Sequence, residues 1–292
     1  MNFRDLDNAT FERLPLVIEG ESKIVRYLGD GLVVIRYKPT IFSFTHNRCG
    51  EVSGSDVLRL RATRVFLEVL RSAGIKHVYR EVTDRFVIAD LVLPSITECA
   101  KYGCSVFAPS DMAVARCDNL SRTVPIEVVI KRYHSGTPKH RYIGMSGSMV
   151  RASHPLYAGM SINAEDALPS VMVRFDWRNP LRLANGTPVA DEVLPEDLAD
   201  LYIDTKQARK TALSVYVALQ RFLEPRDIVL CDLCLFITED GSTVYGEISQ
   251  DCGRFRHFEL GSLDKDVWRS GGSSADVYKK WELLLKHIER SV

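Results

Sequence analysis

Apolar and polar positions in the first third of the chain change period several times. Residues 21–28 and 32–37 run at strand spacing on either side of Gly29-Asp30-Gly31, which predicts an antiparallel hairpin. Between residues 57 and 72 the period lengthens to that of a helix, carried by Leu58, Leu60, Val65, Leu67, Val69 and Leu70, and Gly74 ends it as a C-cap glycine would. Residues 77–84 and 85–93 read as two further strands. So does 125–133, which is rich in Val and Ile. The stretch 94–119 carries mixed signals, and the polar, Gly-rich stretch 137–155 predicts a loop. Leu194-Pro195-Glu196-Asp197 opens a helix expected to continue to Phe222, with Pro195 in its first turn and Pro225 closing it. Residues 227–238 and 242–249 are expected to pair as strands around Glu239-Asp240-Gly241, and residues 277–289 to form an amphipathic helix. Elements in this order predict an α+β fold with two lobes, antiparallel sheets flanked by helices, divided at residues 1–122 and 123–292.

Composition narrows the function classes. The chain has 38 Lys plus Arg and 38 Asp plus Glu, a balance unlike the basic excess of a dedicated nucleic-acid binder, so no nucleic-acid partner is expected. Its seven cysteines are odd in number in a chain long enough to bury a core unaided, which argues against a disulfide framework. The first twenty residues hold no apolar run of signal-peptide length, and no stretch approaches a membrane span. The expectation is a cytoplasmic protein with no membrane partner; the sequence leaves its oligomeric state open. Cys231 and Cys234 form a Cys-x-x-Cys, but three residues apart on a strand they point to opposite faces, which favours strand cysteines over a zinc site.

Four segments taken together resemble the SAICAR synthetase family (phosphoribosylaminoimidazole-succinocarboxamide synthetase). They are Gly20-Glu21-Ser22-Lys23-Ile24-Val25, then residues 125–137 from Pro125-Ile126-Glu127 to Ser135-Gly136-Thr137, then Leu230-Cys231-Asp232 with residues 246–254, and finally Leu263-Asp264-Lys265-Asp266-Val267-Trp268-Arg269. They fall in the family's order and span most of the chain. The resemblance implies a nucleotide cleft between the lobes and an ATP-dependent, amide-forming ligase. It implies a carboxylate activated as an acyl phosphate, an amino-acid amine as nucleophile, and small-molecule carboxylate and amine substrates. It implies ATP and Mg²⁺ as cofactors, the N-terminal lobe binding nucleotide and the C-terminal lobe, with its terminal helix, serving substrate and ATP.

Site residues follow from the same resemblance. Gly20, Ser22, Lys23 and Glu127 fall in the nucleotide site, where a cation at Lys23 offsets phosphate charge. Lys131, Gly136, Thr137 and Arg254 fall at the ribonucleotide substrate, an anion that calls for close donors and positive charge. Glu247 and Asp232 are the carboxylates assigned to catalysis and to metal. Four departures stand out: Phe236 and Gly246 occupy positions where the family has acids, Cys234 replaces a Lys, and Glu21 replaces a second Lys. Gly54-Ser55-Asp56 and Arg59 also replace the family's residues before the long helix, and Arg174 is a candidate replacement cation. His134 and His140 flank the phosphate-like loop as candidate proton acceptors or solvated loop residues. These departures point to a specialised relative, in natural-product rather than housekeeping purine biosynthesis. The alternatives are a non-catalytic nucleotide-binding protein, or an enzyme that kept the ribonucleotide pocket and lost ATP chemistry.

Overall fold

The computed structural model describes residues 3, 6–43, 48–93, 122–134, 145–163, 165–178 and 191–290. In chain order, helix α1 (Asn8–Arg13) precedes strands β1 (Leu16–Glu19), β2 (Lys23–Gly29), β3 (Leu32–Tyr37), β4 (Thr40–Ser43) and β5 (Arg48–Glu51). Helix α2 (Ser55–Ser72) follows, then β6 (Tyr79–Val82) and β7 (Val87–Asp90). Next come β8 (Ile126–Tyr133), β9 (Ser148–Met149), β10 (Ser161–Ile162), β11 (Ala167–Trp177) and β12 (Glu192–Leu194). Helices α3 (Glu196–Ala199) and α4 (Thr205–Leu223), strands β13 (Ile228–Leu235), β14 (Gly253–His257) and β15 (Gly261–Ser262), and helices α5 (Asp266–Arg269) and α6 (Ser274–Ile288) complete the order.

Two larger sheets dominate, ordered β1-β2-β3-β7-β6 and β12-β11-β8-β13-β14-β15, and every strand pair in them is antiparallel. The α+β expectation therefore holds. Strand β3 shows why the first sheet forms. Val33, Ile35 and Tyr37 point into the main core, while Val34 points the other way onto Phe11, Phe86 and Ile88. Alternation with period two thus satisfies both faces of one strand. The hairpin turn uses Gly29, Asp30 and Gly31 at φ values of 111°, 50° and 73°. The main core is shared by both sheets and by α2, α4 and α6, with Phe66 stacked on Phe255 at 5.7 Å and Trp281 fully buried. Among the described residues no helix is long and apolar enough to cross a membrane.

Three local expectations need correction. The helix predicted from residue 194 to 222 is broken. Asp200 accepts from the Thr205 N–H at 3.2 Å and its hydroxyl at 2.6 Å, Asp204 caps α4 by accepting from the Gln207 N–H at 2.8 Å, and the Asp204 N–H goes to the Glu239 carbonyl at 2.8 Å. Carboxylates at those positions satisfy the exposed donors of a new helix start better than an uninterrupted turn would. Residues 242–249 pair with the 227–238 segment only next to the turn, where Ile237 and Val244 form an antiparallel bridge and the Thr238 and Tyr245 N–H groups donate to the Thr243 and Phe236 carbonyls at 3.0 Å; along β13 itself the partners are β8 and β14. Val244 also exchanges backbone bonds with the 76–78 segment of the first half of the chain, at 3.1 and 3.0 Å. The third correction is β11, eleven residues long and read as no element from sequence. Pro169 falls within its irregular register and obscures the alternation.

Gly241 ties these parts together. Its φ is 70°, and an added Cβ would lie 2.5 Å from the Ala208 nitrogen and 2.7 Å from the Asp204 carbonyl oxygen, both backbone atoms that cannot yield. Gly261, at φ 69°, has open space around it. Gly241→Ala should therefore destabilise the protein by more than Gly261→Ala, by roughly 1–3 kcal/mol against about 1 kcal/mol. Urea denaturation of the two variants beside the parent checks this ordering.

Candidate active site

A cleft of about 280 Å³ opens between the edge of the first half and the face of the second sheet. Alternation along three neighbouring strands supplies its floor: Glu127, Val129 and Lys131 from β8, Arg174 and Asp176 from β11, Asp232 and Cys234 from β13. Arg178 and Phe236 continue two of these rows just beyond the strand ends. Glu21, Ser22 and Lys23 at the start of β2, with Thr40, Phe42 and Ser43 of β4, close the opposite side. The expected site residues Ser22, Lys23, Glu127, Lys131, Asp232, Glu247 and Arg254 all line this one cleft. Gly20 does not; it is exposed beside β2, and its carbonyl accepts from Lys38 Nζ at 2.9 Å. Gly136, Thr137 and His140 lie outside the described residues. Arg174 lines the cleft but already holds Asp176 through two bonds of 2.7 Å. His134 is not a solvated loop residue: it is buried, and its Nδ1 lies 3.0 Å from the Asn163 carbonyl. Of the Cys-x-x-Cys pair, Cys234 faces the cleft, while Cys231 is buried and does not line it.

Four of the cleft carboxylates are matched to cations. Arg59, fully buried on α2, grips Glu247 bidentately, Nε to Oε1 at 2.8 Å and Nη2 to Oε2 at 2.5 Å. Its Nη1 donates to the Lys38 carbonyl at 2.8 Å, and the guanidinium lies over the Tyr37 ring at 4.8 Å. Ser249 Oγ donates to the same Glu247. Burial opposes the charge of Arg59, but Glu247 overcomes it and holds the guanidinium above its ordinary range. Asp232 faces Lys131 and Arg254 across the two ladders of β13; it accepts from Arg254 Nη1 and lies 3.9 Å from Lys131 Nζ. Arg254 Nε reaches Asp266 at 3.2 Å, and Lys265 donates to Asp251 at 3.0 Å.

Sequence reasoning registered Arg59 only as a departure. The signal for its partner was present: with Ser55, Ala62, Thr63 and Phe66 it falls on the buried stripe of α2, where a guanidinium requires an acid.

Three charged groups are left over. Among the described residues, no ion-pair partner stands within 4 Å of Lys23, Arg178 or Glu127. Burial lowers the Lys23 ammonium below its ordinary range, with Glu247 opposing and Arg178 adding to the depression. Burial, helped by Asp191, pushes the Glu127 carboxyl up to about 7, with Arg178 pulling the other way. Arg178 is exposed at the mouth, its guanidinium 5.0 Å from the centre of the Phe236 ring. Phe236 in turn packs on Gly246: a Cβ there would lie 2.6 Å from Phe236 Cδ2 and 2.8 Å from its Cβ.

These side chains do not fit Mg²⁺ held by Glu247 and Asp232. Both oxygens of Glu247 belong to a fully buried arginine, Asp232 is held by Arg254, and no group of three potential ligand side chains assembles among the described residues. Withdrawing Glu247 to a metal would strand the Arg59 charge in the interior, which typically costs about 3–5 kcal/mol.

The SAICAR synthetase family model matches residues 16–283. A Cordyceps militaris protein, "Bifunctional cordycepin biosynthesis cluster protein 3", is 27% identical over 94% of this chain, which spans only 33% of that protein's length. The phosphoribosylaminoimidazole-succinocarboxamide synthase of Thermococcus kodakarensis is 25% identical, with 93% of this chain and 96% of the other covered. Among solved structures, a SAICAR synthetase in complex with ADP superposes with a TM-score of 0.66 at 21% identity, covering 94% of this chain and 97% of that one. The Ehrlichia chaffeensis enzyme gives 0.69 at 16% identity, covering 95% and 99%.

Two outcomes follow. Arg59→Met alone should lose roughly 3–5 kcal/mol of stability, and adding Glu247→Leu should recover a large part of that loss, because no buried charge is then left unpaired; denaturant melts of the single and double variants test it. The second concerns pH. The folded chain keeps a proton on Glu127 up to about 7, whereas the unfolded carboxyl releases it near 4.5. The folded state thus binds more protons between these values, and stability falls as pH rises through that window. Glu127→Gln should remove this component, so that the variant gains on the parent from pH 4.5 to 7 in melting temperature.

Proposed function

The chain belongs to the SAICAR synthetase family of ATP-dependent carbon–nitrogen ligases, and from that premise we propose that it uses ATP to join a small-molecule carboxylate to an amine as an amide. The observation that carries the reading is the convergence of Ser22, Lys23, Glu127, Lys131 and Arg254 on one cleft from three separate stretches of chain. Residues 1–122 act as the lobe that receives nucleotide, and residues 123–292 as the lobe that receives substrate and the reacting phosphate.

ATP supplies the phosphoryl group that turns the carboxylate into an acyl phosphate; the amine then displaces phosphate and gives up its proton. This chain's own residues bind and orient. Lys23 meets phosphate charge from the β2 side. Burial and Arg178 depress its ammonium, and an anion bound beside it acts in the opposite direction. Glu127, on the central strand β8, belongs to the nucleotide end. Lys131 and Arg254, both anchored on Asp232, face the acid substrate, where Arg254 offers donors to a phosphate or carboxylate. The cordycepin-cluster relative, together with Phe236 and Gly246 at positions where the family resemblance calls for acids, supports a substrate in specialised metabolism over the housekeeping purine step. The commitment of Glu247 and Asp232 to arginines favours, as the second reading, a nucleotide-binding protein without turnover.

Calorimetric titrations separate these roles. Lys23→Ala should weaken ATP binding, whereas Arg254→Ala should weaken an aminoimidazole carboxylate ribonucleotide at least tenfold, about 1.4 kcal/mol, and leave ATP nearly unchanged. ATP-dependent phosphate release in the presence of candidate acids and amines distinguishes the ligase from the second reading.

A further inference from the structure

We propose that this cleft binds a nucleoside di- or triphosphate without a divalent metal, the phosphate charge being met by the side chains of Lys23 and Arg178. The inference rests on the nucleotide reading above and adds the means of charge neutralisation.

Three observations carry it. First, four of the cleft carboxylates are already taken by cations: Glu247 by a fully buried arginine, Asp232 by Arg254, Asp176 by Arg174 and Asp251 by Lys265, while Glu127 is held protonated up to about 7 by burial. A hard divalent ion needs free oxygen ligands, and here it would have to strip them from arginine and lysine. Second, two cations face the same cleft, and neither has an ion-pair partner among the described residues. Arg178 is one of the charges that lower Lys23, and among the described residues neither has a carboxylate within 4 Å. Two like charges facing one cleft are stabilised by an anion placed between them. Third, the corner beside them cannot accept a carboxylate from residue 246, because Phe236 fills the space that a side chain there would need. The same ring carries the Arg178 guanidinium on its face at 5.0 Å, which holds the cation at the cleft mouth. An aromatic–guanidinium stack thus occupies a place where an acid could otherwise have held a metal, and it presents positive charge directly. A guanidinium also suits phosphate geometry, offering parallel donors to two oxygens.

The test is calorimetric titration of the full chain with ADP and with ATP, once in excess EDTA and once in excess Mg²⁺, for the parent, Arg178→Ala and Arg178→Lys. Arg178 is exposed, so these variants should keep the parent's melting temperature. The expected result is affinity within about twofold between the two buffers, a loss of roughly tenfold in Arg178→Ala in both, and partial recovery in Arg178→Lys. Affinity that collapses in EDTA would overturn the inference and leave the nucleotide reading standing. Unchanged affinity in Arg178→Ala would also overturn it, since the charge would then be met elsewhere. Absence of binding in either buffer would sink both the inference and the nucleotide reading.

Discussion

The structure turns on one buried ion pair. Arg59 on α2 and Glu247 in the segment after β13 lie 188 positions apart, yet they meet through two parallel bonds in the interior. The same guanidinium also holds the Lys38 carbonyl after β3 and rests on Tyr37, so that one side chain fixes α2, the first sheet and the far side of the cleft at once. A charge of this kind stabilises little by itself, because desolvation consumes most of the Coulomb attraction. Its effect is on geometry. Any rearrangement that separates the two halves leaves a guanidinium or a carboxylate alone in the core, and that penalty discriminates against alternative packings.

Around that pair the cleft is self-compensated. Asp232 bridges Lys131 and Arg254 across two ladders, Asp176 holds Arg174, and Asp251 holds Lys265. Side chains restrained by partners behind them have few rotamers left to lose, so a ligand meets donors already aimed. The residues left without an ion-pair partner among the described residues, Lys23, Arg178 and Glu127, are those whose state a ligand can change.

Much of the fold was legible because local and tertiary preferences agree. The hairpin of β2 and β3 has strand spacing, a Gly-Asp-Gly turn and a two-sided core, and α2 combines helical period with a glycine stop. Legibility failed where a contact distant in sequence decides the outcome. The break before α4 depends on Glu239 taking the Asp204 N–H, and the hairpin of 236–238 with 243–245 is short because Val244 also pairs with the 76–78 segment. The cleft shows the same division. The resemblance brought Lys23, Glu127, Lys131, Asp232, Glu247 and Arg254 to one place, but it could not say which cation each acid would hold. That depends on Arg59, whose periodic position on a buried stripe was the available clue.

The contact between Phe236 and Gly246 carries a consequence for the routes by which such a chain can change. With the ring within 2.6 Å of where a Cβ would stand, residue 246 is confined to glycine for as long as phenylalanine stays at 236. Removing the ring first would deprive Arg178 of its platform and open a void beside Tyr245, whose ring lies 5.8 Å from that of Phe236. Neither single step toward an acidic corner is neutral, although the two together relieve each other's clash. The pair is therefore sterically coupled: a side chain at 246 is accommodated only once the ring at 236 is removed, so the two positions change together or pass through a strained or cavity-bearing single variant.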